Sequence, residues 1–172
     1  MALSRISRYP DAGIEAIGMM TGNEINLSLS LFVEQGQERS TAEFYKAVFG
    51  AEEVNCYEML RLLMIELQLG PFNIVICGSD PKHEAAPSYS GPFYPKTPGA
   101  VSTIFQLTVP DVGEIVNAAI EAGGMIRDPV QTDLRDREVA SIFDPGGHIW
   151  VLIGQPHEAE ANVSDQAGTP EG

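Results

Sequence analysis

The chain has 172 residues, of which 44% are hydrophobic, and this length suffices for one domain or two small fused modules. Its 24 acidic and 10 basic residues give a net charge of −14, which argues against a nucleic-acid partner because phosphates would be repelled. No apolar run approaches the roughly 20 residues that cross a bilayer, so no membrane partner is expected.

The N-terminal segment, residues 1–24, is predicted to be a flexible arm. It carries Asp11 and Glu15 where a secretory signal needs an apolar block. The two cysteines, Cys56 and Cys77, fall in strand-like segments and make no disulfide framework. A reducing, cytoplasmic location is therefore expected.

The predicted domain, residues 25–154, opens with a strand in which apolar and polar side chains alternate from Asn26 to Val33. A helix at about 41–49, capped by Ser40 or Thr41 and closed by Gly50, should cover the apolar side. Strands at 52–59, 62–69 and 72–77 then complete module one, residues 25–78.

A proline-rich linker, residues 79–99, separates module one from a second copy of the same order. Module two, residues 100–154, has a strand at 101–109, a helix at 111–122, and strands near 125–131, 137–143 and 148–154. Each copy leaves one sheet face uncovered, so the modules should associate and these faces should form the site. Residues 155–172 are predicted to be a disordered acidic tail.

Two stretches resemble the hallmark segments of PhnB-like proteins: residues 44–51 (FYKAVFGA) and 144–150 (DPGGHIW). Asp136-Arg137 also lies where that group often has Gly-Asp-Arg. PhnB-like proteins belong to the vicinal oxygen chelate superfamily, with glyoxalase I, bleomycin- and fosfomycin-resistance proteins and extradiol dioxygenases. The resemblance implies an α+β fold in which two βαβββ modules form a cup-shaped mixed sheet, and it implies a homodimer.

The metal enzymes of this superfamily carry His, Gln or Glu at four positions that face the cup. The resemblance assigns these positions to Ser28, Val75, Ile104 and Val151, with Cys77 replacing Val75 if the register differs by one pair. Only Cys77 could be a metal ligand, whereas a divalent metal needs three or four converging donors. We therefore expect no metal and no cofactor.

Two charged residues are candidates for a role in the site. Glu66 lies mid-strand, where partial burial in the cup would make it a candidate general base, and where an edge position would leave it solvated. Arg137 could hold an anionic ligand group through its planar fork, or could pair with Asp133, Asp136 or Glu138.

The three histidines do not suggest a metal site. His83 lies in the linker and His157 in the tail. His148 should point to the helix side of its strand, beside Trp150, where a hydrogen-bonded structural role is expected. A nucleophilic role for Cys77 would need a neighbouring base or positive charge, which the sequence does not place.

The expected ligand-binding residues are mostly neutral or apolar: Ser28, Ser30, Phe32, Cys77, Ile104, Gln106, Arg137 and Val151. Such a lining suits a small-molecule pocket. The first hypothesis is a metal-independent protein that binds or sequesters a neutral or cationic small molecule. The alternatives are a metal-dependent lyase, isomerase or dioxygenase, and an interaction protein that uses its homodimer and leaves the cup empty.

Overall fold

The computed structural model describes residues 27–59, 61–86, 88, 91 and 93–155. The predicted arm and nearly all of the predicted tail lie outside these residues. Module one is a strand, a helix and three further strands: β1 (Ser28–Val33), α1 (Glu38–Phe49), β2 (Glu52–Met59), β3 (Leu62–Leu69) and β4 (Phe72–Gly78).

Module two repeats this order after a linker that contains one short helix, α2 (Pro81–Glu84). Its elements are β5 (Ile104–Val109), α3 (Val112–Glu121), β6 (Met125–Thr132), β7 (Glu138–Phe143) and β8 (Ile149–Gly154). The linker was expected to be irregular throughout. Asp80 starts the short helix because its carboxylate accepts a hydrogen bond from the Lys82 backbone N–H at 2.8 Å, and Pro81 suits the first helical position.

Each module forms its own four-stranded mixed sheet, in the orders β1-β4-β3-β2 and β5-β8-β7-β6. The first strand of each module runs parallel to its last strand, and the remaining pairs are antiparallel. The predicted α+β architecture of two βαβββ modules is confirmed.

The alternation in the two opening strands places their apolar side chains on the buried side of each sheet. Leu31 and Val33 of β1 are buried in the hydrophobic core, whereas Ser28 and Ser30 are exposed. In β5, Val109 is buried with the core and Gln106 is exposed. Burying one face of each sheet under a helix leaves the other face open, as predicted.

Helix α1 starts earlier than the sequence suggested, at Glu38 rather than near Thr41. Neither Ser40 nor Thr41 caps it. The buried Glu38 carboxylate instead accepts a hydrogen bond from the Gly36 backbone N–H at 2.7 Å, and Ser40 Oγ donates to the Gln37 carbonyl. A carboxylate reaching back to a preceding N–H stabilises the first turn without an Ser or Thr cap.

A buried hydrogen-bond network joins the two modules. Tyr45 Oη of α1 donates to the Asp144 carboxylate, which lies in the loop between β7 and β8. Trp150 Nε1 donates to Tyr45 Oη at 3.1 Å and contacts Asp144 Oδ2 at 3.4 Å. Burial raises the pKa of Tyr45 well above its ordinary value, and the negative charge of Asp144 raises it further. The phenol therefore stays a donor, which fixes α1 against the second module.

Candidate functional site

The open face of the first sheet, called here the module-one face, carries three of the expected positions on β1. Ser28, Ser30 and Phe32 lie beside their β4 partners in parallel register. Partners in register share a face of the sheet. The β4 partners are Asn73, Val75 and Cys77, so Cys77 lies beside Phe32, whereas Val75 pairs with Ser30 rather than with Ser28.

Glu66 lies at the centre of the module-one face. Its strand, β3, is an inner strand, and Glu66 is flanked by Val75 on β4 and Asn55 on β2. It is half-buried, so the edge-strand alternative does not apply. Tyr57 of β2 is a further neighbour: burial raises the pKa of its phenol, and the charge of Glu66 and a hydrogen bond to it raise it further.

No cationic side chain belongs to the four strands of this sheet. Their sequences, SLSLFV, EEVNCYEM, LLMIELQL and FNIVICG, contain neither Lys nor Arg. Three further residues of the module-one face were not identified from the sequence, which are Asn55, Tyr57 and Asn73. Asn73 Oδ1 is buried and accepts no hydrogen bond from any described residue.

Cys77 is a poor nucleophile in this setting. It is buried, and burial raises the pKa of its thiol while a hydrogen bond with Ser30 opposes the shift. Its Sγ lies 3.7 Å from the Val75 carbonyl oxygen. A buried, protonated thiol beside neutral groups is inert.

The open face of the second sheet, the module-two face, is more apolar. Ile104 and Gln106 of β5 lie in register with Ile149 and Val151 of β8. Ile104 is 50% exposed, so this face is open in a single chain.

One polar pair on the module-two face was missed by sequence reasoning. Ser141 of β7 lies in register with Val151 on one side and Asp128 on the other, and its hydroxyl donates to the Asp128 carboxylate. Asp128 also pairs with Arg127 at 3.2 Å.

The positions that the resemblance assigns to a divalent metal do not fit one. Ser28, Val75, Ile104 and Val151 offer a hydroxyl and three hydrocarbon side chains. Within the described ranges, no three His, Cys, Asp or Glu side chains come together to hold a metal ion. Imidazole, thiolate or carboxylate donors must converge for such binding.

Arg137 lies outside these strand faces, at the turn that leads into β7. Its Nε and Nη2 donate to the Asp133 carboxylate at 3.0 and 2.7 Å. The Arg137 side-chain hydrogen bonds, followed by backbone N–H donors, lower the pKa of Asp133 to about 2. The structure thus shows Arg137 in one of its two expected roles, as the partner of a neighbouring acid.

The histidines occupy separate places. His83 Nε2 lies 3.7 Å from Asp80 Oδ2 in the linker, and His157 is outside the described residues. His148 precedes β8, and its Nδ1 lies 3.2 Å from Asp144 Oδ2. The expected hydrogen-bonded position of His148 is confirmed, and the ring also borders a cavity of about 280 Å³ between the modules.

No protein-family model matches the chain, and no curated protein sequence is significantly similar to it. Solved structures share its fold. A glyoxalase-related enzyme from Fulvimarina pelagi gives a TM-score of 0.56 at 20% identity, over 77% of this chain and 90% of that one.

Two further structures give similar values. The hypothetical protein SA1046 from S. aureus gives a TM-score of 0.55 at 20% identity, over 80% of this chain and 100% of that one. The fosfomycin resistance protein FosX from Listeria monocytogenes gives 0.55 at 15% identity, over 81% and 98%. This likeness establishes a glyoxalase/bleomycin resistance-like fold. Among the described residues no helix is long and apolar enough to span a membrane.

Proposed function

We propose that this chain is a PhnB-like member of the vicinal oxygen chelate superfamily that binds or sequesters a small neutral or cationic molecule without a metal ion. The ligand lies on the open sheet faces, in contact with Ser30, Phe32 and Glu66 on one module and with Gln106 and Val151 on the other. The protein works in the cytoplasm as a homodimer.

The position of Glu66 is the observation that carries this proposal. A half-buried carboxylate lies at the middle of a sheet whose four strands contain no Lys or Arg. Tyr57 is its hydrogen-bonding neighbour, and the uncharged side chains of Val75 and Asn55 lie beside it in register. A partly buried negative charge without a cationic partner is stabilised by a ligand that brings one.

The charge of the whole chain favours the same ligands. A net charge of −14 raises the local concentration of cations. This long-range contribution weakens with salt, because exposed charges are screened beyond about 8 Å at physiological ionic strength. A direct contact with Glu66 is screened less, since the carboxylate is half-buried.

The open faces also favour a second copy of the chain. Ser30 on one module and Gln106 on the other are exposed, and apolar side chains such as Ile104 are exposed with them. Pairing two chains so that open faces meet would enclose a ligand that a single chain leaves in solvent.

Thermal-shift and calorimetric titrations with benzylammonium and benzoate test the proposal, since the two probes share a ring and differ in charge. We expect benzylammonium to bind the wild-type protein. Glu66→Gln should lower the affinity for benzylammonium about five-fold or more, because it removes about 1 kcal/mol of charge attraction. Glu58→Gln is the matched control: it removes the same charge from β2, but Glu58 lies in register with Leu63 and so on the helix side.

Three results would contradict the proposal. If Glu66→Gln and Glu58→Gln lower the affinity for benzylammonium equally, the cation is attracted only by the long-range field of the protein and not by a direct contact with Glu66. Binding of benzoate alone, abolished by Arg137→Ala, would indicate an enzyme or sensor of anionic metabolites. One tightly held nickel, zinc, iron or manganese ion per purified chain would indicate a metal-dependent lyase, isomerase or dioxygenase.

A further inference from the structure

A second site is built around His148, apart from the carboxylate of Glu66. The cavity of about 280 Å³ lies where β1 of module one meets the approach to β5 of module two. Its volume is near the lower end of small-molecule pockets, which begin at about 300 Å³. His148 forms part of its wall and is itself buried.

Asp144 orients the His148 ring. The ring Nδ1 lies 3.3 and 3.2 Å from the two Asp144 carboxylate oxygens, and the His148 backbone N–H donates to Oδ1 at 2.8 Å. A carboxylate that receives these contacts can only accept hydrogen bonds, so the imidazole donates through Nδ1–H. In the Nδ1–H tautomer, Nε2 carries the lone pair and can accept a hydrogen bond, as in other carboxylate–histidine pairs.

The Asp144 carboxylate is held from its other side as well. It is buried and accepts hydrogen bonds from Tyr45 Oη and Trp150 Nε1. Among the described residues no Lys or Arg forms a salt bridge with it, and His148 Nδ1 lies 3.2 Å from its Oδ2. Because Tyr45 and Trp150 belong to different modules, the ring position is fixed by the core of the whole fold.

The Nε2 atom is the unused acceptor of this pair. No described residue makes a hydrogen bond to Nε2. Nε2 is also not one of the fully buried polar atoms without a hydrogen-bond partner. Because His148 lines the cavity, Nε2 is the ring nitrogen left available to a ligand bound there.

The rest of the cavity wall combines aromatic rings with small hydroxyl groups. Phe32, Phe93 and Phe105 contribute rings, and Phe105 stacks on Trp150 at 4.7 Å between centroids. Ser102 and Thr103 contribute hydroxyl groups. Rings on the walls suit a planar molecule, and an imidazole acceptor suits a donor on its edge.

We infer that the Asp144–His148 pair and this cavity form a binding site for a small planar aromatic molecule with a hydroxyl or ring N–H group, which donates its hydrogen bond to His148 Nε2. The site lies between the modules; it shares Ser30 and Phe32 with the proposed ligand contacts of module one but does not use Glu66.

Phenol and anisole test this site, because anisole keeps the ring and the oxygen but lacks the donor. We expect phenol to bind the wild-type protein about five-fold more tightly than anisole, the usual net worth of one hydrogen bond. Long-range ¹H–¹⁵N spectra of the histidine rings should show His148 with its proton on Nδ1, and phenol should shift the Nε2 resonance.

Two variants separate binding from folding. His148→Phe keeps a buried ring but removes the acceptor, so phenol and anisole should bind it equally. Ser102→Met narrows the cavity at an exposed wall position and leaves the Asp144–His148 pair intact, so both probes should lose affinity while the His148 spectrum of the free protein is unchanged. Glu66→Gln should not alter the preference.

Three findings would overturn the inference. These are absence of phenol binding to the wild type, equal affinity of the wild type for phenol and anisole, and a His148 proton on Nε2. A preference for phenol that survives in folded His148→Phe would also place the donor contact elsewhere.

Discussion

Replacing Tyr45 by phenylalanine tests the buried network that joins the modules. The substitution removes one oxygen atom and keeps the ring, which packs edge-on against Phe44, Phe49 and Trp150. The Asp144 carboxylate then loses its hydroxyl donor. The Trp150 indole loses its contact with the Tyr45 oxygen and keeps a longer one of 3.4 Å to Asp144.

The expected cost follows from the charge and burial of the acceptor. A hydrogen bond to a charged group contributes about 1.5–3 kcal/mol, and Asp144 is fully buried, so Tyr45→Phe should lower the free energy of unfolding at pH 7 by about 2 kcal/mol. In a chain of this size that loss corresponds to a decrease in Tm of about 4–8 °C.

The hydrogen bond from Tyr45 to Asp144 also predicts how the free energy of unfolding depends on pH. The folded state raises the pKa of Tyr45 well above 10.0, so it favours the neutral phenol. The stabilisation is complete below pH 10 and is lost as the pH rises further, because the unfolded chain then releases a proton that the folded chain keeps. Between pH 10 and 11 the wild type should lose about 1 kcal/mol relative to Tyr45→Phe.

Urea unfolding at pH 7, 10 and 11 measures both quantities. Tyr57→Phe is the control, since Tyr57 is 36% exposed and its loss of a hydroxyl should change stability by about 0.5 kcal/mol or less. If Tyr45→Phe is as stable as the wild type at pH 7, or if both proteins lose stability equally above pH 10, the network does not hold the modules as described.

Two further predictions concern a glycine and an ion pair. Gly124→Ala should destabilise the fold by about 1–3 kcal/mol, because the new Cβ would lie 2.9 Å from the Phe143 carbonyl oxygen; Gly113→Ala, in α3 with only an ordinary contact, should be neutral or stabilising in the same melting experiment. Arg137→Gln should raise the pKa of Asp133 from about 2 toward its ordinary 3.8, which NMR titration of the carboxyl groups would measure. The pH range over which Asp133 changes stability, between these two values, should then narrow. An unchanged pKa of Asp133 would mean that Arg137 does not lower it.

The fold could be predicted because its strongest signals are local. Alternation in residues 28–33 and 104–109 fixed which side of each strand is buried, and Gly50 in the left-handed conformation ends α1 where expected. The start of α1 could not be located in the same way. Its first turn is stabilised by Glu38, whose buried position depends on the close approach of Gly78 from β4.

Site residues were harder to predict because their environment depends on strand order. Glu66 could be assigned to a face by alternation, but only the order β4-β3-β2 makes its strand an inner one. Asp144 and Tyr45, 99 residues apart, each lie in a motif noticed in the sequence. Their contact, and the orientation it gives His148, arises from packing of the two modules and has no local signature.

The two modules repeat a backbone without repeating its chemistry, and this difference constrains the proposed ligand of the open faces. Equivalent strands carry Ser28 and Ser30 in module one and Ile104 and Gln106 in module two. Ser141 lies in register with Val151 as Glu66 does with Val75, so a neutral hydroxyl bonded to Asp128 takes the place of the Glu66 carboxylate, with the hydrocarbon of Ile104 and Val151 nearby. A ligand that contacts both faces gains most when its cationic end meets module one and its hydrocarbon end meets module two, because each half then replaces water with a matching surface. An amphiphilic cation satisfies both conditions, whereas a small hydrophilic cation would use only half of the site.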